Sequence, residues 1–178
     1  PRPFEWNEFS ITPRYSYVVD LTRGPEELLS AFSSDARRNV TDESLDYQIS
    51  VAGPEVIRRT IEEVRRRYEQ QGESYSVSTE FVVDLYDRLP EGTVRPYACW
   101  SDDRFVGGMV VIADGDTVYR WQGGAKTDHN LPVNDLLDWR IIRDAAADGY
   151  ARYDLDGAND PRLCEYKAKF APDVETYY

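Results

Sequence analysis

The chain predicts an α+β fold in which helices pack on a mixed, largely antiparallel sheet. Three observations lead there. Apolar residues at helical spacing dominate residues 1–92, the spacing becomes strand-like from Thr93, and the last quarter runs strand, loop, helix, strand, short helix. With 178 residues and a hydrophobic content of 41%, a single domain made of the two parts 1–92 and 93–178 is expected.

The stretch up to Arg23 is rich in proline and aromatic residues, and Tyr15–Leu21 within it reads as a strand. Gly24-Pro25-Glu26-Glu27 then starts a helix, with proline in the first turn and acids at the positive end, running over Leu28, Leu29 and Phe32 to about Val40. Tyr47–Val51 is a short strand. Pro54 opens a helix carried by Ile57, Ile61, Val64 and Tyr68, whose arginines at 58, 59, 65, 66 and 67 read as a solvated face offset by nearby glutamates. A further helix covers Ser78–Leu89 and stops at Pro90-Glu91-Gly92.

Three strands follow, Val94–Trp100, Phe105–Ile112 and Val118–Trp121, joined by Ser101-Asp102-Asp103 and by Ala113-Asp114-Gly115-Asp116. Gly107-Gly108 inside the middle one predicts a bulge or a close approach. After the loop 122–132, Val133–Asp148 is a helix with Leu136, Leu137, Ile141 and Ala145 on one stripe. Gly149 ends it, Tyr150–Leu155 is a strand, and Asp160-Pro161 opens a short helix through Lys169.

Charge bounds the partners. Against 33 acidic residues stand 18 arginines and three lysines, Lys126, Lys167 and Lys169, for a net charge of -12. That balance opposes nucleic-acid binding at ordinary ionic strength and suits a halophilic cytoplasm, where salt screens self-repulsion. No apolar run is long enough for a membrane helix and no signal peptide is visible, so a cytoplasmic location is expected. Pro1 at the start and Thr176-Tyr177-Tyr178 at the end read as a piece of a longer chain. The two cysteines have no metal spacing, Cys99 reads as a buried small hydrophobe, and no metal site is expected.

Several residues are candidates for chemistry. Gln122-Gly123-Gly124-Ala125 lies between a strand and a helix, and reads either as a loop whose following helix start can hold a pyrophosphate on free backbone N–H groups or as an ordinary connection. Alternation at the end of the last-quarter strand places Asp154 and Asp156 on one side, either as a base or as turn formers. Arg37 and Arg38 fit an anionic substrate or an ion pair. His129 reads as a surface residue, Lys169 as a solvated one, and Trp100, Trp121, Trp139 and Tyr153 as core.

Two segments carry a family resemblance. Pro13–Leu21 followed by Glu26–Leu29 and Phe32–Val40 is similar to a strand-then-helix segment ending in R-x-N. Gly149-Tyr150-Ala151-Arg152-Tyr153-Asp154-Leu155-Asp156-Gly157 with Tyr166-Lys167-Ala168-Lys169-Phe170-Ala171 is similar to the signatures Y-D-[LF]-G and F-K-x-x-F-G. Together they resemble the GNAT-fold acyltransferase domain of the Fem family of peptidoglycan aminoacyl transferases and its acetyltransferase relatives. Tyr166 stands where that family has Phe, and Ala171 where it has Gly.

The resemblance implies an acyltransferase that moves an acyl or aminoacyl group to an amine, with this chain as the second of two tandem domains. It implies an acetyl-CoA or other acyl-CoA donor, and a small-molecule or envelope-precursor amine as acceptor. An aminoacyl-tRNA donor is disfavoured, since the helical hairpin of the tRNA-dependent members is missing from the sequence. Lys167 would steady charge on the acyl carbonyl or on a phosphate of the substrate. Asp154 or Asp156 would take the amine proton, and Arg37 and Tyr166 would contact substrate. The alternative is a non-catalytic lobe that binds a ligand or partner of a larger protein.

Overall fold

The computed structural model describes residues 2–124 and 129–178. A short helix α1 (Arg2–Glu5) precedes strand β1 (Arg14–Asp20) and a 3-10 turn at Leu21–Arg23. Helices α2 (Pro25–Ala31) and α3 (Ser34–Thr41) lead to β2 (Gln48–Val51), α4 (Pro54–Gln70) and α5 (Thr79–Arg88). The meander β3 (Val94–Ser101), β4 (Arg104–Asp114) and β5 (Thr117–Gly123) follows. The chain ends with α6 (Val133–Ala147), β6 (Arg152–Asp154), α7 (Pro161–Lys167), a 3-10 turn at Ala168–Phe170 and β7 (Asp173–Tyr177).

These strands form one sheet in the order β2-β3-β4-β5-β6-β1-β7, antiparallel throughout except between β5 and β6. The exception follows from connection length, because α6 carries the chain back across the sheet before β6 begins. Alternation along the strands sends side chains to two cores. Met109 and Val111 join Leu28, Phe32, Leu137, Ile141 and Tyr153 on one face, while Val110 packs with Ile57, Ile61 and Val82 on the other. None of the described helices is long and apolar enough to cross a membrane.

The helix expected from Pro25 to about Val40 is two helices. Phe32 leaves helical geometry and enters the core, edge-on to Trp139 at 5.4 Å and to Phe170 at 5.2 Å. Ser33 restarts the helix by accepting the Ala36 N–H on its side chain, and its own N–H donates to the Lys169 carbonyl at 2.8 Å. Burying an aromatic ring outweighs one turn of continuous helix. At the other end β7 is a full strand, paired with β1 from Arg14–Tyr177 to Val18–Asp173.

The irregularity expected at Gly107-Gly108 is present. Cys99 faces Gly107 and Trp100 faces Phe105, which leaves Val106 as the extra residue of a bulge. Gly108 lies under α4, where an added Cβ would sit 2.0 Å from Thr60 Oγ1. Cys99 is buried, as expected, whereas Trp100, Trp121 and Trp139 are only half-buried.

Candidate functional site

Sheet geometry opens the site. The parallel ladder of β5 with β6 holds from Thr117–Arg152 to Tyr119–Asp154, and there it stops, although β5 continues to Gly123. The two strands part beyond Tyr119 and leave a notch. Arg120 is the first β5 residue past the last ladder pair, and the start of α6 and the end of α7 close the flanks.

Buried polar groups line this notch. Asp138 of α6 is fully buried and accepts three hydrogen bonds: from Arg120 Nε at 3.1 Å, Tyr153 Oη at 2.6 Å and Tyr166 Oη at 2.7 Å. One turn earlier, Asp135 accepts from Asn39 Nδ2 at 2.7 Å and from Lys169 Nζ at 2.7 Å. Burial opposes the charge on Arg120, yet the Asp138 carboxylate outweighs it and holds the guanidinium above its ordinary range. Burial, then the same carboxylate, pushes the Tyr153 and Tyr166 phenols well above their usual pKa, so both remain protonated donors.

Lys167 is 4% exposed, and its amine donates to the carbonyl oxygens of Asp156 and, at 3.0 Å, of Gly157. Burial lowers its pKa, and the charge of Arg120 adds to that, while Asp156, Asp138 and Asp154 raise it in part. Asp154 accepts the Ser16 hydroxyl and, at 2.8 Å, the Asp156 N–H, which caps the turn after β6. Strand alternation does not reach Asp156: its φ of 59° is left-handed, it is exposed, and it belongs to the turn.

The remaining candidates spread more widely. Gln122 accepts the Tyr75 hydroxyl, and Gly124 N–H donates to the Gly108 carbonyl at 3.2 Å. Gly123 has a φ of 114° and approaches β4 so closely that a Cβ would lie 2.3 Å from Gly108 O. Ala125 lies outside the described residues. Arg37 is exposed and donates to the Ser30 carbonyl at the end of α2, while Arg38 pairs with Asp35 at 2.9 Å. Lys169 is not solvated as expected, because the 3-10 turn carries it back over the buried Asp135. Thus Lys167, Asp154, Asp156 and Tyr166 gather at the notch, and Arg37 stands apart from them.

Sequence reading passed over Arg120, Asp135 and Asp138, and met Asn39 only as the end of the R-x-N segment. The signal was present in α6: Asp135 and Asp138 occur three apart and in register with Ile142 on a helix whose other buried positions are apolar. A carboxylate on a core-facing stripe needs a partner. No group of three or more histidine, cysteine or acidic side chains among the described residues is arranged to hold a metal ion.

Comparison with known proteins bears on the family and the fold. Residues 32–168 match the model of the acetyltransferase (GNAT) domain. Among solved structures the chain is similar to FemX, at 13% identity and a TM-score of 0.80, over 93% of this chain and 60% of that one. It is similar to L-PGS from Bacillus licheniformis at 12% identity and a TM-score of 0.59, over 97% of this chain and 62% of that one. A third likeness is to the C-terminal domain of a putative lysylphosphatidylglycerol synthetase from Agrobacterium fabrum, at 13% identity and 0.55, over 92% and 58%. At these identities the likenesses bear on the fold alone, and this chain spans about 60% of each neighbour's length. Comparison with curated protein sequences gave no match.

Proposed function

Because the chain belongs to the acetyltransferase (GNAT) family, we propose that it is an N-acyltransferase lobe that brings an acyl or aminoacyl donor and an amine acceptor together in the notch between β5 and β6. The observation that carries this reading is the buried Lys167 amine at the notch, next to Arg120 and the Asp138 cluster. Attack of an amine on an acyl carbonyl builds negative charge on its oxygen, and a preorganised cation in a water-poor site stabilises that charge. Lys167 fills this role with its third N–H, which has no acceptor among the described residues. Asp154 keeps its second carboxylate oxygen for the proton released by the amine.

An acyl-CoA donor fits the start of α6, where first-turn N–H groups lack helical acceptors. Asp135 in that turn would repel a pyrophosphate, but Lys169 compensates its charge and Asn39 donates to it. That this lobe is the second of two in a longer protein rests on the resemblance; the chain covers 60% of FemX. The acceptor class, a small-molecule or envelope-precursor amine, rests on the resemblance alone.

The test is a calorimetric titration of acetyl-CoA into the intact protein at molar KCl, followed by an acyl-transfer assay over a panel of amines. Lys167→Ala is expected to lower turnover roughly 10²- to 10³-fold while donor affinity changes little. Unchanged turnover removes Lys167 from the mechanism. One observation favours a second reading, a non-catalytic binding lobe: two of the Lys167 donors are spent on the backbone carbonyls of the turn after β6. A folded protein without donor affinity supports that reading.

A further inference from the structure

We infer that the cavity where α5 and α6 both end is a further ligand site, one that takes an alkylammonium, a cationic head on an apolar stem. The site is independent of the acyl-transfer reading. It lies at the far end of α6, where Asp148 is roughly 15 Å along the helix axis from Asp138.

Shape comes first. The cavity holds about 680 Å³, inside the range of roughly 300–1,000 Å³ that small-molecule sites occupy. The end of α5 and its following loop, the start of β3, the end of β2 and the last turn of α6 surround it. Its inner wall is buried and mostly apolar, made by Val94, Pro96 and Tyr97. At the mouth Val51 is 50% and Leu89 38% exposed, so apolar surface continues outward. Burial, then the Asp144 charge, pushes the Tyr97 phenol up to about 12, so this wall carries no charge of its own.

Charge comes second. Four carboxylates line the cavity, those of Asp87, Glu91, Asp144 and Asp148, against one guanidinium, that of Arg95. Arg95 is fully engaged: it donates to the Gly92 carbonyl at 2.8 Å, to Asp148 at 2.5 Å and to the Tyr150 hydroxyl at 3.2 Å. It neutralises Asp148, and Arg140 neutralises Asp144 at 2.8 Å. Arg88 turns to Asp84 at 3.4 Å. Asp87 and Glu91 are left without an ion-pair or hydrogen-bond partner among the described residues.

The backbone adds to the same sign. The Leu89 N–H closes the last turn of α5 on the Leu85 carbonyl, and the next carbonyl, of Tyr86, would need the N–H of residue 90, which is proline. Tyr86 and Asp87, both on the cavity wall, therefore keep carbonyl oxygens with no backbone donor among the described residues, at the negative end of the helix. An ammonium has three N–H donors and can serve a carboxylate and a carbonyl together. A bare ion would use the rim and leave the apolar wall wet, whereas an ammonium on an alkyl stem uses both.

The experiment is an NMR titration of the full chain at fixed ionic strength with four probes: cadaverine, a blocked tripeptide with lysine at its centre, ammonium chloride and pentanoate. It is run on the wild type and on the paired Asp87→Asn/Glu91→Gln, both exposed positions outside the cores. Cadaverine or the tripeptide is expected to saturate the wild type, with shifts at Gly92 in the loop and at Gly53 beside the Tyr86 hydroxyl. The paired variant is expected to weaken that binding roughly tenfold or more, the loss of one or more charge-assisted hydrogen bonds. Tighter binding of cadaverine identifies a free amine as the ligand, and tighter binding of the tripeptide a protein lysine.

A folded wild type that neither alkylammonium saturates overturns the inference, as does binding that the paired variant leaves unchanged. Shifts centred on Gly123 and Gly157 instead would place the amine in the notch and remove this site. Ammonium chloride or pentanoate binding as tightly as cadaverine would show that the head and the stem are not read together, and would also overturn it. Should the paired variant not fold, Glu91→Gln alone decides.

Discussion

Helices α4 and α6 cover opposite faces of one sheet, and they bury different things. α4 turns Val56, Ile57, Thr60, Ile61 and Val64 inward and keeps its charges outside, with pairs such as Arg59–Glu55 on the surface. α6 buries Val133, Leu136, Leu137, Ile141, Ile142 and Ala145, and with them two carboxylates. Each of those carboxylates receives at least two donors. The buried polar atom of α4 is the Thr60 hydroxyl, which has no partner among the described residues and fills the space over Gly108. A polar residue buried for packing can go unsatisfied at modest cost, whereas buried charge is kept only with a full set of partners.

The hardest test of this contrast is Asp138→Ala. It leaves the Arg120 charge buried beside two tyrosine hydroxyls without an acceptor, and a loss of about 3–5 kcal/mol is expected in denaturant unfolding. A loss below about 1 kcal/mol would mean that water reaches the cluster and that the notch is not a low-dielectric site. Next is Gly108→Ala, where the new methyl group meets Thr60 Oγ1 and the Phe105 ring. Overpacking of this kind costs about 1–3 kcal/mol. Adding Thr60→Ala is expected to recover part of that loss, and strict additivity of the two changes would show that α4 shifts to make room. The smallest effect belongs to Thr60→Val, which swaps the orphan hydroxyl for a methyl of similar size. Stability is expected to stay within about 1 kcal/mol of wild type, on the stabilising side. A larger loss would reveal a hydrogen bond to that hydroxyl in solution.

The same contrast explains what could be read in advance. The meander was legible because Asp-rich turns punctuate runs of β-branched and aromatic residues, and α4 and α5 because apolar and charged residues separate cleanly around them. The split between α2 and α3 was not, since Phe32 sits at a helical position in the stripe and only the pocket made by Trp139 and Phe170 draws it out. Lys167 stood out by scarcity and by its motif. Arg120 did not, because an arginine in the strand run Tyr-Arg-Trp looks like an outward-facing residue until the neighbouring strand departs. The site depends on where two strands separate, and separation is a property of pairing rather than of either strand's composition.

Ala171 shows the cost of a departure from the family pattern. It occupies the left-handed region at φ 50°, at the position that is glycine in the signature F-K-x-x-F-G it resembles. An L-residue pays roughly 1 kcal/mol there.

The placement of the lysines has a chemical consequence of its own. Of three in the chain, Lys167 is sealed against two carbonyls and Lys169 is clamped on Asp135, so no lysine among the described residues is exposed. Activated acyl groups modify free amines indiscriminately. A member of an acetyltransferase family whose surface charge is carried by arginine and acid presents few bystander amines to such reagents.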